Sequence, residues 1–342
     1  MSASRELDIV LFGATGVTGT HVVEELHRAS EGLRWGVAGR NADKLRCALR
    51  AAAKNLGLQD DALDSVPIIL ADVADEASLL SMARRTRLVL NTVGPYRFYG
   101  RPVVKACVDS STHHIDVTAE PQYMEQMQLE FYDEARKKGV MVLSPCGFAS
   151  IPAEMCLSYL RKHFQGELEV VESYLLIRQG SLVQIHTYFR LPGLIRGIGL
   201  GILAFFFLLF SWFSCGRWLL ERFPGVFSAG TVNRGGPSKE QALGCSFSIT
   251  MRGRGWKEKL DETGDRGHKG KMNHSVTIRL DGPDPAYVTT SMCMVQVAVV
   301  VLKEKKNMAV EGGVLSPGVA LDGTSYLERI QQRGFHMAVV SQ

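Results

Sequence analysis

Three glycines near the start of the chain are spaced so that they could hold a phosphate group. Gly13, Gly16 and Gly19 follow directly after the apolar run Leu7–Phe12. Glycine at a strand-to-helix turn lets the backbone turn sharply and lets a pyrophosphate approach the free amides of a helix N-terminus. The residues expected to contact the phosphates are Gly13, Thr15, Gly16, Val17, Thr18 and Gly19. Glycines at such turns also serve packing alone, so the pattern needs support from neighbouring residues.

A cation stands where the second apolar run ends. The run Leu33–Ala38 leads into Gly39 and Arg40, with Asn41 next and Lys44 one helical turn later. NAD-binding sites place Asp or Glu at this point to hold the ribose 2′-hydroxyl, whereas a guanidinium pairs with a 2′-phosphate. The sequence therefore predicts NADP rather than NAD, bound by Arg40, Asn41 and Lys44. A solvated surface arginine is the alternative.

The loops after the later apolar runs carry groups that could contact the rest of a dinucleotide. Asp72 follows the third run, where adenine contacts are usual, and residues 91–96 follow the fourth run, where nicotinamide lies in a parallel sheet. The predicted nicotinamide contacts are Thr92, Val93, Gly94 and Tyr96.

Two side chains could exchange a proton with a substrate. Tyr96 or Asp116 would deliver the proton that accompanies a hydride transfer. A tyrosine exposed on a loop is the alternative for Tyr96. His113 and His114 precede Asp116 and are interpreted as a structural pair, of which one must face away from the site, rather than as a proton relay.

Strands and helices alternate through the first half and would position these groups. Apolar runs and helical spacing predict strands at 7–12, 33–38, 66–71, 86–92, 114–118 and 140–143, with helices at 20–28, 41–55, 77–85, 102–110 and 121–138. This order forces parallel pairing with right-handed crossovers, so residues 1–150 are predicted to form a doubly wound Rossmann domain.

Composition limits the remaining classes of protein. Of 342 residues, 46% are hydrophobic and 22% are charged, which excludes disorder, collagen and coiled coil for the whole chain. A formal charge of +4 is too small to indicate a nucleic-acid partner. Seven cysteines without a CxxC pair favour a reducing compartment over disulfides or a metal site. The polar start predicts no secretory signal and a protein that faces the cytoplasm.

An uncharged segment interrupts the second half. Residues 197–216, between Arg196 and Arg217, carry no charge and are rich in Phe and Leu, with Trp212 and Trp218 where interfacial aromatics would lie. We expect a hydrophobic helix that inserts shallowly or as a hairpin into a membrane or lipid droplet. A buried or oligomer-interface helix and a full span are the alternatives.

The sequence from residue 246 onwards predicts a domain that contains both strands and a helix. Residues 246–251 and 275–280 alternate as half-buried strands, and 252–274 read as an exposed hairpin or loop. Residues 288–303 read as a buried helix in which Cys293 is a core side chain.

Several motifs together resemble the saccharopine dehydrogenase-like oxidoreductase family. The matching residues are the Gly13–Gly19 loop, Ala38–Arg40, Asn91–Gly100, Ile115, Asp116, Glu120, Cys146–Phe148, Ser150–Pro152, Gly282, Pro283, Ala286, Tyr287, Gly312–Val314 and Ser316–Gly318. The resemblance implies a Rossmann domain, an α+β domain with the dimer or substrate face, and NAD(P)-linked redox chemistry. It also implies lipid-droplet and membrane association, reduction of an imine in the true saccharopine enzymes, and reduction of double bonds on lipid intermediates in bacterial relatives.

Three departures from the family pattern bear on activity. Ala149 stands in place of an Asp, and Ala119 stands in place of a Gly beside Glu120. The stretch after Arg178 passes within a few residues to Val183, which indicates an internal deletion. Residues 151–342 are therefore expected to form a shortened α+β domain.

The sequence as a whole predicts an NADP-dependent oxidoreductase that transfers hydride to an imine or C=C of a lipophilic substrate. The expected location is the cytoplasmic face of membranes or a lipid droplet, with mitochondria as an alternative, and a homodimer is left open. A non-catalytic nucleotide-binding protein of lipid surfaces is the rival. A soluble saccharopine enzyme of lysine breakdown is disfavoured by the 197–216 segment and by the lack of a clear arginine cluster for a dicarboxylate.

Overall fold

The protein is described from a computed structural model, which covers residues 5–178, 184–186 (backbone alone), 204–223, 244–259, 268 and 270–341. Two compact units divide the chain. One comprises Met1–Tyr174 and Phe247–Gln342, and the other comprises Leu175–Ser246. Residues 247–342 therefore belong to the same compact unit as residues 1–174, and the domain boundary at residue 150 stays a prediction.

A parallel seven-stranded sheet forms the centre of the first unit. Its strands are β1 (Leu7–Phe12), β2 (Trp35–Gly39), β3 (Ile68–Leu70), β4 (Thr86–Asn91), β5 (His113–Asp116), β6 (Met141–Leu143) and, from the C-terminal part, β11 (Gly313–Leu315). Their order is β11-β6-β5-β4-β1-β2-β3, and every pair is parallel. All six residues of β1 are buried, as expected for a strand covered on both faces. The predicted doubly wound sheet is confirmed.

Helices cover both faces of this sheet. They are α1 (Val17–Ala29), α2 (Ala42–Asn55), α3 (Glu76–Arg85), α4 (Tyr96–Asp109), α5 (Pro121–Lys138), α6 (Ile151–His163), and further along the chain α8 (Thr290–Lys303), α9 (Pro317–Ala320) and α10 (Tyr326–Gln331). Apolar residues of β1 and β4 pack with α3 and α4 in one core cluster. Packing of apolar helix faces, rather than helix propensity, accounts for most of the stability of such elements.

Helix α8 packs between the sheet and other helices. It contacts α1, α10, β4 and β5, and all of its residues but the last are buried. Residues Pro285–Lys303 form the one helical stretch, among the residues that the structure describes, that is long and apolar enough to cross a membrane, and most of it lies inside the fold. We therefore assign it to the core, as predicted for residues 288–303. Cys293 is fully buried there, as expected.

A second group of strands lies in the first unit. It comprises residues 167–174 of β7 (Glu167–Arg178), residues 247–256 of β9 (Ser246–Trp256), β10 (His274–Gly282) and β12 (His336–Ser341), and β10 pairs antiparallel with both β9 and β12. Of the hairpin and the loop predicted for residues 252–274, the structure fits the hairpin, because residues 252–255 continue β9 opposite residues 274–277 of β10. Residues 260–267 and 269 of the predicted loop lie outside the described residues.

The second unit contains the described part of the predicted hydrophobic segment. The end of β7 pairs with β8 (Gln184–His186). Residues 204–211 are helical, and a second helix, α7 (Ser214–Arg222), follows after a break at residues 212 and 213. Residues 197–203 of the predicted helix lie outside the described residues.

Helix α4 begins six residues before the predicted start at Pro102. Proline favours the first turn of a helix, which is why the sequence suggested a start there. The structure instead begins α4 at Tyr96 and carries Pro102 inside it. The reason is a long-range cap: both carboxylate oxygens of Glu120 accept hydrogen bonds from the first amides of the helix, at Tyr96 (2.8 Å) and Arg97 (3.0 Å).

Arg5 makes several hydrogen bonds at the amino edge of the sheet. Its guanidinium donates to the hydroxyl of Thr112 (2.6 Å) and to backbone carbonyls at the ends of α3 and α4. These carbonyls belong to Ala83, Thr86, Ser110 and Ser111. A cation at helix C-termini satisfies carbonyls that have no partner within the helix. This edge is therefore closed by structural contacts, whereas the predicted functional residues lie at the opposite, carboxyl edge.

Candidate active site

The glycine loop forms a tight cradle between β1 and α1. Gly13 has a φ of +100°, and a Cβ there would lie 2.7 Å from Thr92 Oγ1 and 2.9 Å from Val93 Cγ2. Gly19 is buried, and a Cβ there would lie 2.2 Å from the carbonyl oxygen of Gly13. Close packing therefore requires glycine at positions 13 and 19, and Thr92 and Val93 lie directly beside the loop.

The third glycine of the loop faces open space. Gly16 is exposed, and the nearest atom to a Cβ built on it is Gly13 O at 3.4 Å. Gly16 is also the N-cap of α1, and no side chain caps that helix end. Its first amides are therefore available to an anion, and the positive end of the helix dipole faces the same space. Thr15 and Val17 are exposed and Thr18 is half-buried beside it, so the loop fits a pyrophosphate.

The end of β2 presents the predicted cation. Arg40 is exposed, and its guanidinium has no hydrogen bond or ion pair with the residues that the structure describes. Asn41 caps α2 by accepting a hydrogen bond from the Lys44 amide (2.9 Å), while Lys44 itself is exposed. Asp72, after β3, is half-buried and accepts a hydrogen bond from the Ala74 amide (3.0 Å).

Three hydrogen bonds hold the turn after β4 in place. Asn91 Oδ1 accepts a hydrogen bond from the Val93 amide (3.0 Å), and Thr92 Oγ1 donates to Phe12 O (3.1 Å). Tyr96 is buried, and its hydroxyl donates to the carbonyl oxygen of Asn91 (3.0 Å). Burial, and then the nearby charge of Asp116, raises the pKa of Tyr96. Gly94, at the tip of the turn, is exposed.

Asp116 is a fully buried carboxyl at the end of β5. Its Oδ2 accepts hydrogen bonds from Ser144 Oγ (2.8 Å) and Tyr123 OH (3.1 Å), and its Oδ1 accepts one from the Thr118 amide (3.1 Å). Burial disfavours the charged form and raises the pKa of Asp116 to about 7, against the opposing effect of these hydrogen bonds. Asp116 therefore exchanges a proton near neutral pH, as an acid–base group requires.

The two histidines of β5 point to opposite faces. His113 Nδ1 accepts a hydrogen bond from the Met141 amide (2.9 Å). His114 is buried beside Asn91, with its Nε2 3.3 Å from the side-chain Nδ2 of Asn91 and its Nδ1 3.9 Å from Asp116 Oδ2. Burial lowers the pKa of His114 to about 3, so the ring is neutral. Because His114 Nε2 accepts a hydrogen bond from Asn91 Nδ2, we assign the ring proton to Nδ1, on the side of Asp116.

Gly100 leaves the space in which Tyr123 reaches Asp116. A Cβ at Gly100 would lie 2.4 Å from Tyr123 Cε2 and 2.8 Å from its hydroxyl oxygen. The Tyr96 and Tyr123 rings also pack together, with centroids 5.7 Å apart. Glycine is therefore required at the end of the GPYRFYG run because any side chain would overlap the Tyr123 ring, and the sequence alone did not predict this contact.

Residues from the C-terminal part of the chain also contact residues at the carboxyl edge of the sheet. The Phe148 amide donates to Thr290 Oγ1 (3.2 Å), and the Tyr287 ring lies 5.1 Å from the ring of His21 on α1. Ser144, Tyr123 and Thr290 had no role predicted from the sequence. The only signal for Ser144 was its position after a predicted strand. The part of the chain that the structure describes contains no group of three His, Cys, Asp or Glu side chains that could hold a metal ion.

A glycine loop between β1 and α1, at the point where the strand order reverses between β1 and β4, defines a dinucleotide-binding protein of the Rossmann type. The saccharopine dehydrogenase NADP binding domain matches residues 9–143. The chain belongs to the saccharopine dehydrogenase-like oxidoreductase family, because it is 32% identical to the rat protein of that name over 98% of both chains. The predicted family and NADP as its cofactor are confirmed.

Two further proteins are similar over nearly the whole chain. A lipid droplet localized protein of Caenorhabditis elegans is 29% identical over 98% of both chains. The apo saccharopine dehydrogenase (L-Glu forming) of Saccharomyces cerevisiae is 12% identical, with a TM-score of 0.54 over 98% of this chain and all of that one. The second likeness shows a shared fold. The alignment with the rat protein extends over 426 residues, more than the 342 residues of this chain.

Proposed function

We propose that this protein is an NADP-dependent oxidoreductase that reduces an imine or an activated C=C bond of a lipophilic substrate at a lipid surface. The observation that carries the proposal is the arrangement at the carboxyl edge of the sheet. An open phosphate-binding loop lies beside the turn that follows β4, and a buried carboxyl whose pKa is raised to about 7 lies below that turn. Such an edge is where ligands of open α/β sheets bind.

Different residues of the chain bind the different parts of the cofactor. The amides of the Gly13–Gly19 loop bind the pyrophosphate, Arg40 and Lys44 pair with the 2′-phosphate, Asn41 supports them, and Asp72 borders the adenine. The turn formed by Thr92, Val93, Gly94 and Tyr96 orients the nicotinamide. When bound, the reduced cofactor supplies a hydride to one end of the double bond. Asp116 supplies the proton that the other end requires. Tyr96, whose hydroxyl is bonded to Asn91 O, holds the turn in shape.

Arg40→Ala is expected to weaken NADPH binding by about 1.5–3 kcal/mol, the range for a hydrogen bond to a charged group. NADH lacks the 2′-phosphate, so its affinity should change little. Fluorescence titration of the purified protein with both nucleotides measures the two dissociation constants. Arg84→Ala is the matched control, because Arg84 is an exposed arginine at the end of α3, on the opposite edge of the sheet. Equal losses for NADPH and NADH in Arg40→Ala would contradict the assignment.

The second unit presents an apolar surface that supports contact with a membrane or lipid droplet. Phe205, Phe207 and Leu208 are exposed on the first helix, Trp212 is 80% exposed at the break, and Trp218 is exposed on α7. A soluble monomer rarely leaves so many large apolar side chains exposed side by side. Trp and Phe with a neighbouring Arg are typical of helices that lie in the membrane interface. The proposal therefore favours shallow insertion over a full span.

Replacing Phe206 and Leu209 with Asp together is expected to abolish binding to lipid vesicles. Burying two charges in hydrocarbon opposes insertion, and both side chains are exposed in the protein, so the fold should survive. Flotation of purified protein with phosphatidylcholine vesicles measures the bound fraction. Leu129→Asp is the control, because Leu129 is 88% exposed on α5 in the other unit. Unchanged flotation of the double variant would count against insertion by this segment.

A second candidate function is a non-catalytic nucleotide-binding protein of lipid surfaces. Ala149, where the family pattern has a carboxylate, supports it, and so does the shortened second domain inferred from the longer alignment with the rat relative. Turnover of NADPH with an enal (trans-2-decenal) and with a cyclic imine (1-pyrroline) separates the two candidates. Binding of NADPH without oxidation by either probe would favour the non-catalytic role. Restoring Asp at position 149 together with the missing stretch then tests whether activity returns.

A further inference from the structure

Asp116 cannot touch a substrate directly. The side chain is fully buried, with no exposed atom. Its described polar neighbours Thr118, Tyr123 and His114 are buried as well. A proton that leaves this carboxyl for the site must therefore pass through another group.

Ser144 is the neighbour that reaches the surface. It directly follows β6 at the carboxyl edge of the sheet, is partly exposed, and its hydroxyl lies 2.8 Å from Asp116 Oδ2. A serine hydroxyl can donate one hydrogen bond and accept others, and it rotates freely between partners. Among the described side-chain hydroxyls that bond the Asp116 carboxyl, Ser144 is thus the one whose residue is not buried.

We infer that the Ser144 hydroxyl is the catalytic group that passes the proton from Asp116 to the substrate. This inference rests on the proposed function, since it names how the same site delivers its proton. Asp116 acts through Ser144 and holds the proton ready, while Tyr123 and the Thr118 amide fix the orientation of its carboxyl group.

The proton transfer balances at each atom. Hydride addition to one end of a C=N or C=C bond leaves the electron pair of that bond on the other end, which then takes a proton. Ser144 Oγ gives its proton to that nitrogen or carbon, and a new N–H or C–H bond forms. Protonated Asp116 at the same time donates its proton from Oδ2 to Ser144 Oγ. The products are the reduced substrate, an intact Ser144 hydroxyl and an Asp116 carboxylate, which regains a proton from solvent by the same route.

The surroundings of Asp116 favour the protonated form that this route needs. Glu120, at the start of α5, adds a negative charge nearby and raises the pKa of Asp116 further, after burial. Tyr96 of α4, Tyr123 of α5 and Cys146 after β6 face the same carboxyl as neutral groups, because burial raises the pKa of each. His114 of β5 is neutral too. The described residues packed around Asp116 therefore place no cation against it.

Two other groups near the carboxyl do not carry its proton to the open edge. The Tyr96 hydroxyl donates to Asn91 O, and the ring is buried. His114 Nδ1 lies 3.9 Å from Asp116 Oδ2, beyond hydrogen-bond distance, and the His114 side chain is fully buried. Neither group connects the carboxyl to the open edge.

The test compares Ser144→Thr with Ser144→Val, which have the same shape but differ in the hydroxyl. The first readout needs neither cofactor nor substrate. The carboxyl band of protonated Asp116, identified by its loss in Asp116→Asn, is followed by infrared spectroscopy while the protein is mixed into D₂O at about pH 6, below the raised pKa. We expect fast exchange of the carboxyl proton in the wild type and in Ser144→Thr, and loss of the fast phase in Ser144→Val. Ser144→Ala, which adds no volume, replaces Ser144→Val if that variant does not fold.

The second readout is turnover of NADPH with trans-2-decenal or 1-pyrroline. Ser144→Val is expected to lower kcat by about 100-fold, within the range for general acid catalysis, while Ser144→Thr recovers most of the rate. NADPH affinity, measured by fluorescence, should not change in Ser144→Val. Exchange in Ser144→Val as fast as in the wild type would overturn the inference, whatever the turnover. Absence of turnover by the wild type, with fast exchange through Ser144 intact, would instead overturn the proposed activity and leave the proton route standing.

Discussion

Gly19→Ala is expected to abolish NADPH binding and to destabilise the protein, whereas Gly16→Ala is expected to weaken binding without affecting the fold. A Cβ at Gly19 would lie 2.2 Å from Gly13 O and 2.8 Å from Ala14 Cα, both backbone atoms of the loop. Neither atom can yield without moving the loop or α1. Overpacking of this kind costs about 1–3 kcal/mol or more, and the displaced loop no longer presents its amides to a phosphate.

Gly16→Ala is the matched variant because it adds the same methyl group three residues away. Gly16 has φ −78° and ψ 165°, which alanine adopts freely, and the nearest protein atom to the new Cβ is 3.4 Å away. The free energy of unfolding should therefore change by less than about 0.5 kcal/mol. A pyrophosphate seated on the loop would meet the added methyl group, so NADPH affinity should fall.

Urea denaturation and fluorescence titration of both variants separate packing from binding. Wild-type affinity in Gly16→Ala would show that the nucleotide does not lie against this glycine, and the loop would then serve packing alone. Wild-type stability in Gly19→Ala would contradict the close contact with Gly13.

The sheet could be predicted from the sequence because its determinants are local. The five apolar residues of β1, the glycines that follow it and the Asn41 cap of α2 each belong to, or directly adjoin, the element that they specify. Alternation of strands and helices then leaves few topologies. Asp116 was predicted as an acid–base candidate alongside Tyr96, and it lies within the strand predicted at 114–118.

The remaining features depend on residues far apart in the chain. The start of α4 is set by Glu120, 24 residues from Tyr96. The role of Ser144 depends on a carboxyl 28 residues away, and Gly100 is required by the ring of Tyr123. β11 joins the sheet beside β6 although it begins at residue 313. No local pattern reports such pairs, so the sequence placed α4 too late and missed Ser144.

Asp116→Asn is expected to make the protein more stable above neutral pH and, at the same time, to abolish the proton delivery that catalysis needs. The folded protein holds the Asp116 proton up to about pH 7, whereas the unfolded chain releases it near the ordinary value of 3.8. Between these values the folded state binds more protons than the unfolded state, so this residue lowers the free energy of unfolding as pH rises. The loss amounts to at most about 4 kcal/mol and is complete above about pH 7.

Asparagine removes this pH-dependent cost and keeps the shape of the side chain. Its Oδ1 can still accept from the Thr118 amide, and the hydroxyls of Ser144 and Tyr123 can rotate to accept from its Nδ2. Urea denaturation of the wild type and of Asp116→Asn from about pH 4.5 to about pH 8.5 measures the difference in stability. That difference should grow in favour of the variant up to about pH 7 and then stay constant. Asp133→Asn, at an exposed aspartate of α5, is the control for the substitution itself.

The combination of higher stability and lost turnover distinguishes a buried acid–base group from a structural carboxylate. A carboxylate kept for its hydrogen bonds alone would have a lowered pKa, and its replacement would destabilise the protein most at high pH. Asp116 is expected to show the opposite sign, with turnover lower by about 10²- to 10⁴-fold. Natural proteins keep such destabilising groups where the chemistry requires them. Destabilisation by Asp116→Asn that grows with pH would show instead that Asp116 is ionised in the folded protein and serves the fold.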